Sequence, residues 1–291
     1  MVAAPAVQTL GRRLRLDILT RGRVVLIGLG GTGLILARHV VLFLSAFRTH
    51  EFRVIFVDGD AFAPENTYRM DVPGYQNKAA AVAGELGERF GRPGLHLRWI
   101  PEYVTPRNVK KAIAEGDCVL AAVDNHATRR VIGRRCSRLK DVVLISGGND
   151  GVEDSRPGTY ANVQVYVRAR GRDLHPTLDR FHPEIARPAD RNPAELDCME
   201  LAAGSAPQLL FSNLAVASAM CNALFRLLTP AKEPMYDEVS LDIFEAISTP
   251  HWFLSAGHAR AHAVRTPKKR AQNTGTGPLN AGVLSPFFGR S

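Results

Sequence analysis

Residues 24–36 read "VVLIGLGGTGLIL", an apolar run that breaks on Gly28, Gly30, Gly31 and Gly33 and then resumes. A strand, a tight turn and a helix account for this pattern, and the glycines satisfy G-x-G-x-x-G in the context that motif requires. Gly28 permits the turn, Gly30 lets a phosphate approach the backbone, and Gly33 lets the helix pack on the strand. The free N–H groups at the helix start then face an anion. No G-K-[ST] follows, which excludes a P-loop. The wider stretch 24–47 has the length of a membrane span, but its central glycines weaken a helix, and Arg38 and His39 would be costly in lipid.

The next apolar run, "FRVIFV" (52–57), reads as a buried strand, and a polar cluster follows it in "FVDGDAFAPENTYRM" (56–70). Asp58, at the strand end, is the expected ribose ligand of a nucleotide. A dinucleotide dehydrogenase would require nothing of Asp60, Asn66, Arg69 or Lys78. An enzyme that cleaves ATP between its α- and β-phosphates needs more: cations on the departing pyrophosphate, a carboxylate for Mg²⁺, and polar donors near the α-phosphate. Asn66, Arg69 and Lys78 supply donors and cations. Asp124, which ends the strand in "CVLAAVDNHATRR" (118–130), supplies a carboxylate at the same sheet edge. Each residue also has a plain structural role open to it. Asn66 and Asp124 can cap helices, Arg69 can sit in a surface ion pair, and Lys78 can be a solvated helix residue.

Period and punctuation place strands at 23–28, 52–57, 95–100, 117–123, 141–146 and 161–168, with helices at 32–47, 76–90, 105–115 and 125–139. Strands alternating with helices imply parallel crossovers. The expected fold is α/β: a Rossmann-like open sheet, mainly parallel in the first half, with antiparallel strands added in the second. Residues 171–197, rich in Arg, Asp and Pro, read as a long exposed loop, and loops of that length are often functional. A long apolar helix is expected over 198–228, then strands near 236–241 and 251–255. The organisation expected is a basic segment over 1–22, one domain over 23–256 with its nucleotide-binding half at 23–150, and a basic, flexible tail over 257–291.

The chain has 291 residues and a formal charge of +9. The excess lies at the ends: 246–291 carries +6 and 1–23 carries +4, while 24–245 sums to −1. Solvated basic extensions explain this distribution, so nucleic acid is not the expected partner, although the basic ends leave RNA open. Cys118, Cys136, Cys198 and Cys221 form no C-x-x-C pair, against a zinc ribbon and against a secreted disulfide framework. Cys118, Cys136 and Cys221 fall within apolar patterns and are expected in the core. No signal-peptide pattern precedes Gly22, and a cytoplasmic protein without membrane association is expected. His175 and His182, with Asp173, Asp179 and Glu184, match no standard metal site and read as a solvated polar loop.

The order G-x-G-G-x-G, D-x-D…N-x-x-R, a lysine, and a strand ending in Asp-Asn resembles the ubiquitin-activating enzymes and their bacterial relatives ThiF, MoeB and HesA. The resemblance covers 23 to about 150, where four separated elements agree in order. It implies an ATP site in which Asp58 holds the ribose and Asn66, Arg69 and Lys78 contact phosphates. Gly28, Gly30, Gly31, Gly33 and Asp60 belong to the same site, and Asp124 would bind Mg²⁺. Met70 stands where the family carries glutamine, and Thr67 where it carries leucine. "LGRRLRLDILTRG" (10–22) lacks the R-Y-x-R-Q segment that completes a neighbouring subunit's site, which leaves a homodimer open but unsupported. The family's paired CxxC zinc site is absent, so no structural zinc is expected.

The later segment "LDCMELAAGSAPQLLFSNLAVASAMCNALFRLL" (196–228) resembles the ThiF-type proteins of bacterial PRTRC gene clusters. In conjugating relatives a cysteine after the crossover loop accepts the activated carboxyl group as a thioester. Cys198 holds such a place after 171–197, and the reading of a small residue packed at a helix start is equally open. A helix start lowers a thiol's pKa, while Asp197 opposes that. The function implied is ATP-dependent adenylation of the C-terminal carboxylate of a small ubiquitin-like or sulfur-carrier protein ending in Gly-Gly. Arg69, Lys78, Asp124 and Cys198 would be its catalytic residues. The alternatives are an NAD(H)-dependent Rossmann oxidoreductase, a ThiF-fold enzyme acting on tRNA, and a non-catalytic scaffold.

Overall fold

Val24–Ile27 (β1) is four consecutive buried apolar residues, the pattern of a strand covered on both faces. In the computed structural model of the protein it is an interior strand of a nine-stranded sheet. The described residues are 13–253 apart from 68–69, 72–73, 75, 154–155, 198, 201–207 and 232–234, together with Thr9. Arg69, Cys198 and the basic tail 257–291 lie outside them.

The first half alternates as its periodicity requires. A short helix, α1 (Asp17–Thr20), leads into β1, then come α2 (Gly31–Ser45), β2 (Phe52–Val57), α3 (Lys78–Phe90) and β3 (Leu95–Ile100). There follow α4 (Val109–Ala112), β4 (Cys118–Ala121), α5 (His126–Cys136) and β5 (Val142–Asn149). Strands β1 to β5 are parallel, in the order β3-β2-β1-β4-β5. The chain therefore winds outward from β1 to β3, returns, and winds the other way from β4. Ligands of open α/β sheets bind at that reversal, outside the carboxyl ends of the strands. Ile27 is in register with both Val57 and Ala121, so the residues that follow β1, β2 and β4 emerge on one edge.

The second half adds antiparallel strands. A two-residue hairpin of β6 (Val152–Glu153) and β7 (Arg156–Pro157) precedes β8 (Tyr160–Ala169), which pairs with β5 over eight positions. The short β9 (Arg172–Asp173) pairs with β8, as does β10 (Glu238–Asp242), and β11 (Ile247–His251) closes the edge. Two apolar cores lie on the two sides of the sheet. One gathers Leu36, Val40 and Leu44 of α2, Val82 and Leu86 of α3, and Val216 and Met220 of α6 (Leu210–Leu228). Leu14, Leu16 and Leu19 of the basic N-terminal segment join it, tied in by the Arg15 N–H donating to Leu228 O at 2.7 Å. The other gathers Val109, Ile113, Ile132 and Cys136 with Leu178 and Ile185.

Three elements differ from expectation, each for a local reason. The long helix begins at Leu210 rather than near 198, with Leu209 extended (φ −72°, ψ 135°). One face of α6 is buried, while the apolar Phe211, Leu214 and Phe225 on the other are exposed. The segment over 105–115 keeps only four helical residues, after Asn108 Oδ1 accepts the Thr105 N–H at 2.8 Å. The last strand is Ile247–His251, not 251–255. Asp242 Oδ1 accepts the N–H groups of Phe244 and Glu245, and Ala246 is left-handed (φ 55°), which sets a tight turn and pairs Asp242 with Ile247.

Residues 171–197 are not a solvated polar loop. Three 3-10 turns, at Leu178–Arg180, Pro183–Ile185 and Pro193–Glu195, bury Leu178, Ile185 and Asn192. His175 Nδ1 lies 2.7 Å from Asp237 Oδ1, and His182 Nε2 lies 2.7 Å from Glu238 Oε2. The histidines thus pin the segment to β10 and to the residue before it.

Candidate functional site

Gly28 adopts φ 84°, a left-handed conformation that favours glycine, and a Cβ there would meet Ala122 O at 2.7 Å. Gly33 has no room either: a Cβ would fall 1.9 Å from Gly28 O, where α2 rests on the turn. Gly31 is pressed by Asn213 of α6, whose buried side chain also accepts from Thr32 Oγ at 3.0 Å. Gly30 differs from these three, since nothing lies within 4 Å of its would-be Cβ. The turn is therefore packed on three sides and open at Gly30, ahead of the free N–H groups of α2. An anion has room to approach there.

Asp58 follows β2 and braces this turn. Its Oδ2 accepts the Leu29 N–H at 2.6 Å and its Oδ1 accepts the Asp60 N–H at 2.9 Å. Burial pushes its carboxyl above the ordinary carboxylate range, against the pull of Lys78 and of the two N–H groups. Each carboxylate oxygen has a second lone pair for a ribose hydroxyl. Asp60 is paired with Lys78, whose Nζ lies 2.5 Å from Asp60 Oδ2 and whose side chain is only 10% exposed. Lys78 is thus a buried, ion-paired residue at the start of α3, with ammonium hydrogens left over for a phosphate. Asn77, unremarked in the sequence reading, caps α3 through Ala80 N–H. It also donates to the carbonyls of Asp58 and Asp60 at 2.9 and 3.0 Å, so one side chain fixes both acids to the helix.

Asn66 closes its own 3-10 turn, Oδ1 accepting the Ala63 N–H at 3.0 Å. Its structural role is therefore occupied in this structure, and its amide group remains as donor. Met70 is 6% exposed and belongs to the core beside α2 and α3. An apolar side chain suits that place.

At the end of β4 the cap of α5 is Asn125, whose Oδ1 accepts the Thr128 N–H at 2.8 Å. Asp124 does not cap the helix; it is exposed at the carboxyl edge and receives Asn125 Nδ2 at 3.3 Å. Asp190, from the 171–197 segment, takes the N–H groups of His126 and Ala127 at 2.7 and 2.8 Å. Below it, Arg129 is buried and bonded to Val123 O, Gly147 O and Ser146 Oγ. Burial lowers the pKa of its guanidinium and the charges of Asp124, Asp190 and Glu184 raise it, leaving a buried cation near the acids. Asn192 ties the same segment to Val104 O at 2.8 Å and Thr128 Oγ at 3.1 Å. Sequence reasoning could not see Asp190, Asn192 or Arg129, because their partners lie far along the chain or are backbone carbonyls.

Tyr103 enters from the loop after β3. A Cβ on Gly59 would fall 2.5 Å from Tyr103 N and 2.6 Å from its ring, so ring and loop are in contact. Burial, then the charges of Asp60, Asp58 and Asp124, push its phenol well above its ordinary pKa.

The structure thus brings the glycine turn, Asp58, Asp60, Lys78 and Asp124 to one sheet edge, with Arg69 and Cys198 outside the described residues. Among the described residues no group of three His, Cys, Asp or Glu side chains is placed to hold a metal ion. One exposed carboxylate at this edge suits Mg²⁺ nonetheless, because that ion takes one or two carboxylates and completes its shell with phosphate oxygens and water.

Solved structures share this architecture. PaaA is 16% identical with a TM-score of 0.55, over 82% of this chain and 66% of that one. The microcin C7 biosynthetic enzyme MccB, in complex with N-formylated MccA, is 15% identical with a TM-score of 0.57, over 81% and 65%. E. coli MccB with ATP is 14% identical with a TM-score of 0.55, also over 81% and 65%. The chain therefore spans about two thirds of the length of these proteins, and at such identity the likeness is one of fold. No curated protein matches the sequence. The model of the ThiF family matches residues 5–251, nearly the whole of the described unit, and the chain belongs to that family.

Proposed function

We propose that the protein adenylates the C-terminal carboxylate of a small ubiquitin-like or sulfur-carrier protein at the expense of ATP, in the cytoplasm. The observation that carries this reading is the convergence of the open Gly30 turn, Asp58, the Asp60–Lys78 pair and Asp124 on the edge where β1 and β4 part. A hydride-transferring enzyme would use the turn and Asp58 and leave Lys78 and Asp124 without work. MccB has been crystallised with ATP and with the MccA peptide, which supports a nucleotide and a small peptide or protein as the two ligands.

In the reaction a carboxylate oxygen attacks the α-phosphorus and the bond to the bridging oxygen breaks. Pyrophosphate leaves and an acyl-adenylate remains. The attacking group is already ionised, so no general base is needed, and catalysis is positioning and charge stabilisation. The Gly30 turn and the α2 N-terminus receive phosphate oxygens, Asp58 accepts from the ribose, and Lys78 with Arg69 draws off the leaving charge. Mg²⁺, held by Asp124 on the nucleotide, would neutralise phosphate charge. The acyl group then passes to the Cys198 thiolate as a thioester, releasing AMP, and a terminal Gly-Gly in the substrate gives an unhindered carboxyl.

The test is calorimetric titration of the full chain with Mg·ATP and with NADH, for the wild type and Asp124→Ala. ATP binding with a Mg²⁺-dependent part lost in the variant is expected, without NADH binding. NADH binding in place of ATP overturns the reading in favour of an oxidoreductase. Cys198→Ala should keep the adenylate and lose the thioester.

A further inference from the structure

Tyr103 has a ring, a hydroxyl and a rigid mounting, and the reaction as derived uses none of them. Val57 and Ile100 are in register at the ends of β2 and β3, so the loop carrying Tyr103 stands beside the loop carrying Asp58. The Tyr103 carbonyl accepts from Asn108 Nδ2 at 2.9 Å, and the Val104 carbonyl next to it accepts from Asn192 Nδ2 at 2.8 Å. Those bonds fix the backbone on both sides. The ring lies against Gly59, where any side chain would collide with it. Among the described residues the hydroxyl has no hydrogen-bond partner, although three carboxylates act on it.

We propose that Tyr103 positions the adenosine of the bound nucleotide, its ring forming a wall for the base and its hydroxyl donating to the ribose beside Asp58. This rests on the ATP reading above. With phosphates at the turn after β1 and the ribose at the end of β2, the base leaves the sugar on the side away from the phosphates, toward β3. An aromatic face there suits a purine, which stacks through its π-surface. A ribose hydroxyl that donates to the Asp58 carboxylate still has lone pairs to accept from a phenol. Burial, and then the surrounding acids, disfavour the phenolate, so the group stays a donor throughout the neutral range.

The test is binding of ATP and of inorganic tripolyphosphate, which lacks the adenosine, to the full-length wild type and to Tyr103→Phe, Tyr103→Ala and Tyr103→Leu. Leucine keeps apolar bulk against Gly59 should alanine disturb the fold, and thermal unfolding reports on that. Tyr103→Ala and Tyr103→Leu should weaken ATP roughly tenfold, the scale of one base–aromatic stack. Tripolyphosphate should stay within about twofold, and Tyr103→Phe should recover most of the loss. Equal loss for both ligands, or no loss for ATP in the leucine variant, overturns the role of Tyr103. A wild type that fails to bind ATP overturns the ATP reading itself, and this inference with it.

Discussion

Asp124 and Asn125 are neighbours that divide two jobs either could have done. Asn125 holds the α5 cap, so Asn125→Ala should cost about 1 kcal/mol of stability in urea unfolding, while Asp124→Asn should weaken Mg·ATP binding more than Asn125→Ala does. The variants thereby separate fold from function at adjacent positions. The glycines allow a second separation. Gly33→Ala forces a Cβ onto Gly28 O and should destabilise by about 2 kcal/mol. Gly30→Ala meets nothing and should keep the fold's midpoint while weakening ATP, which titration of the two proteins would show. Equal destabilisation by both would mean that the turn is structural throughout. The motif expects the turn at Gly28, approach at Gly30 and packing at Gly33, and says nothing of Gly31, which Asn213 presses. Their surroundings give that difference its dimensions: open space at Gly30 and a 1.9 Å clash at Gly33.

At the scale of elements, the 171–197 segment is held to β10 by histidines facing carboxylates. His182 lies between Glu238 and Glu184, and the hydrogen bond it donates to Glu238, chiefly, raises its pKa against the effect of burial. A raised histidine pKa means that the folded state favours the charged ring. Its stabilisation is fully present below the ordinary value near 6.5 and is lost as pH rises through the raised one. Thermal unfolding between pH 5 and 9 should therefore show a loss of stability on the alkaline side, and His182→Gln should flatten it. A wild-type profile no steeper than the variant's would remove the latch. The same segment supplies Asp190 to α5 and Asn192 to the loop after β3, so weakening it should reach the site. Sequence reading placed this stretch by composition as exposed. Long-range pairs such as His175–Asp237, 62 residues apart, leave no periodic trace.

For the whole molecule, the sheet separates two cores, and a cysteine marks each: Cys118 on the side of α2 and α6, Cys136 on the side of α4 and α5. Both are fully buried, and burial pushes each thiol up to about 12, while the half-buried Cys221 is pushed to about 11. In a Cys198→Ala background a thiol reagent at pH 8 should modify Cys221 first. Cys118 and Cys136 should then react together, at the rate set by global opening. Separate rates for these two would show that the faces of the sheet open independently.

What the sequence determined by itself is the alternation from β1 to β5, the glycine turn between β1 and α2, and the acids at the ends of β2 and β4. These follow from periodicity and motif, whose causes act within one turn or one strand, so neighbouring residues suffice to specify them. The tertiary structure alone decided that β10 and β11 extend the sheet beside β8, and that Asp190 rather than a neighbour meets the α5 N-terminus. It also set Tyr103 against Gly59 and Asn213 under Gly31. Such contacts join residues tens to nearly two hundred positions apart. They exist only once the sheet has set its register and both cores have closed, because no local preference of either partner anticipates the other.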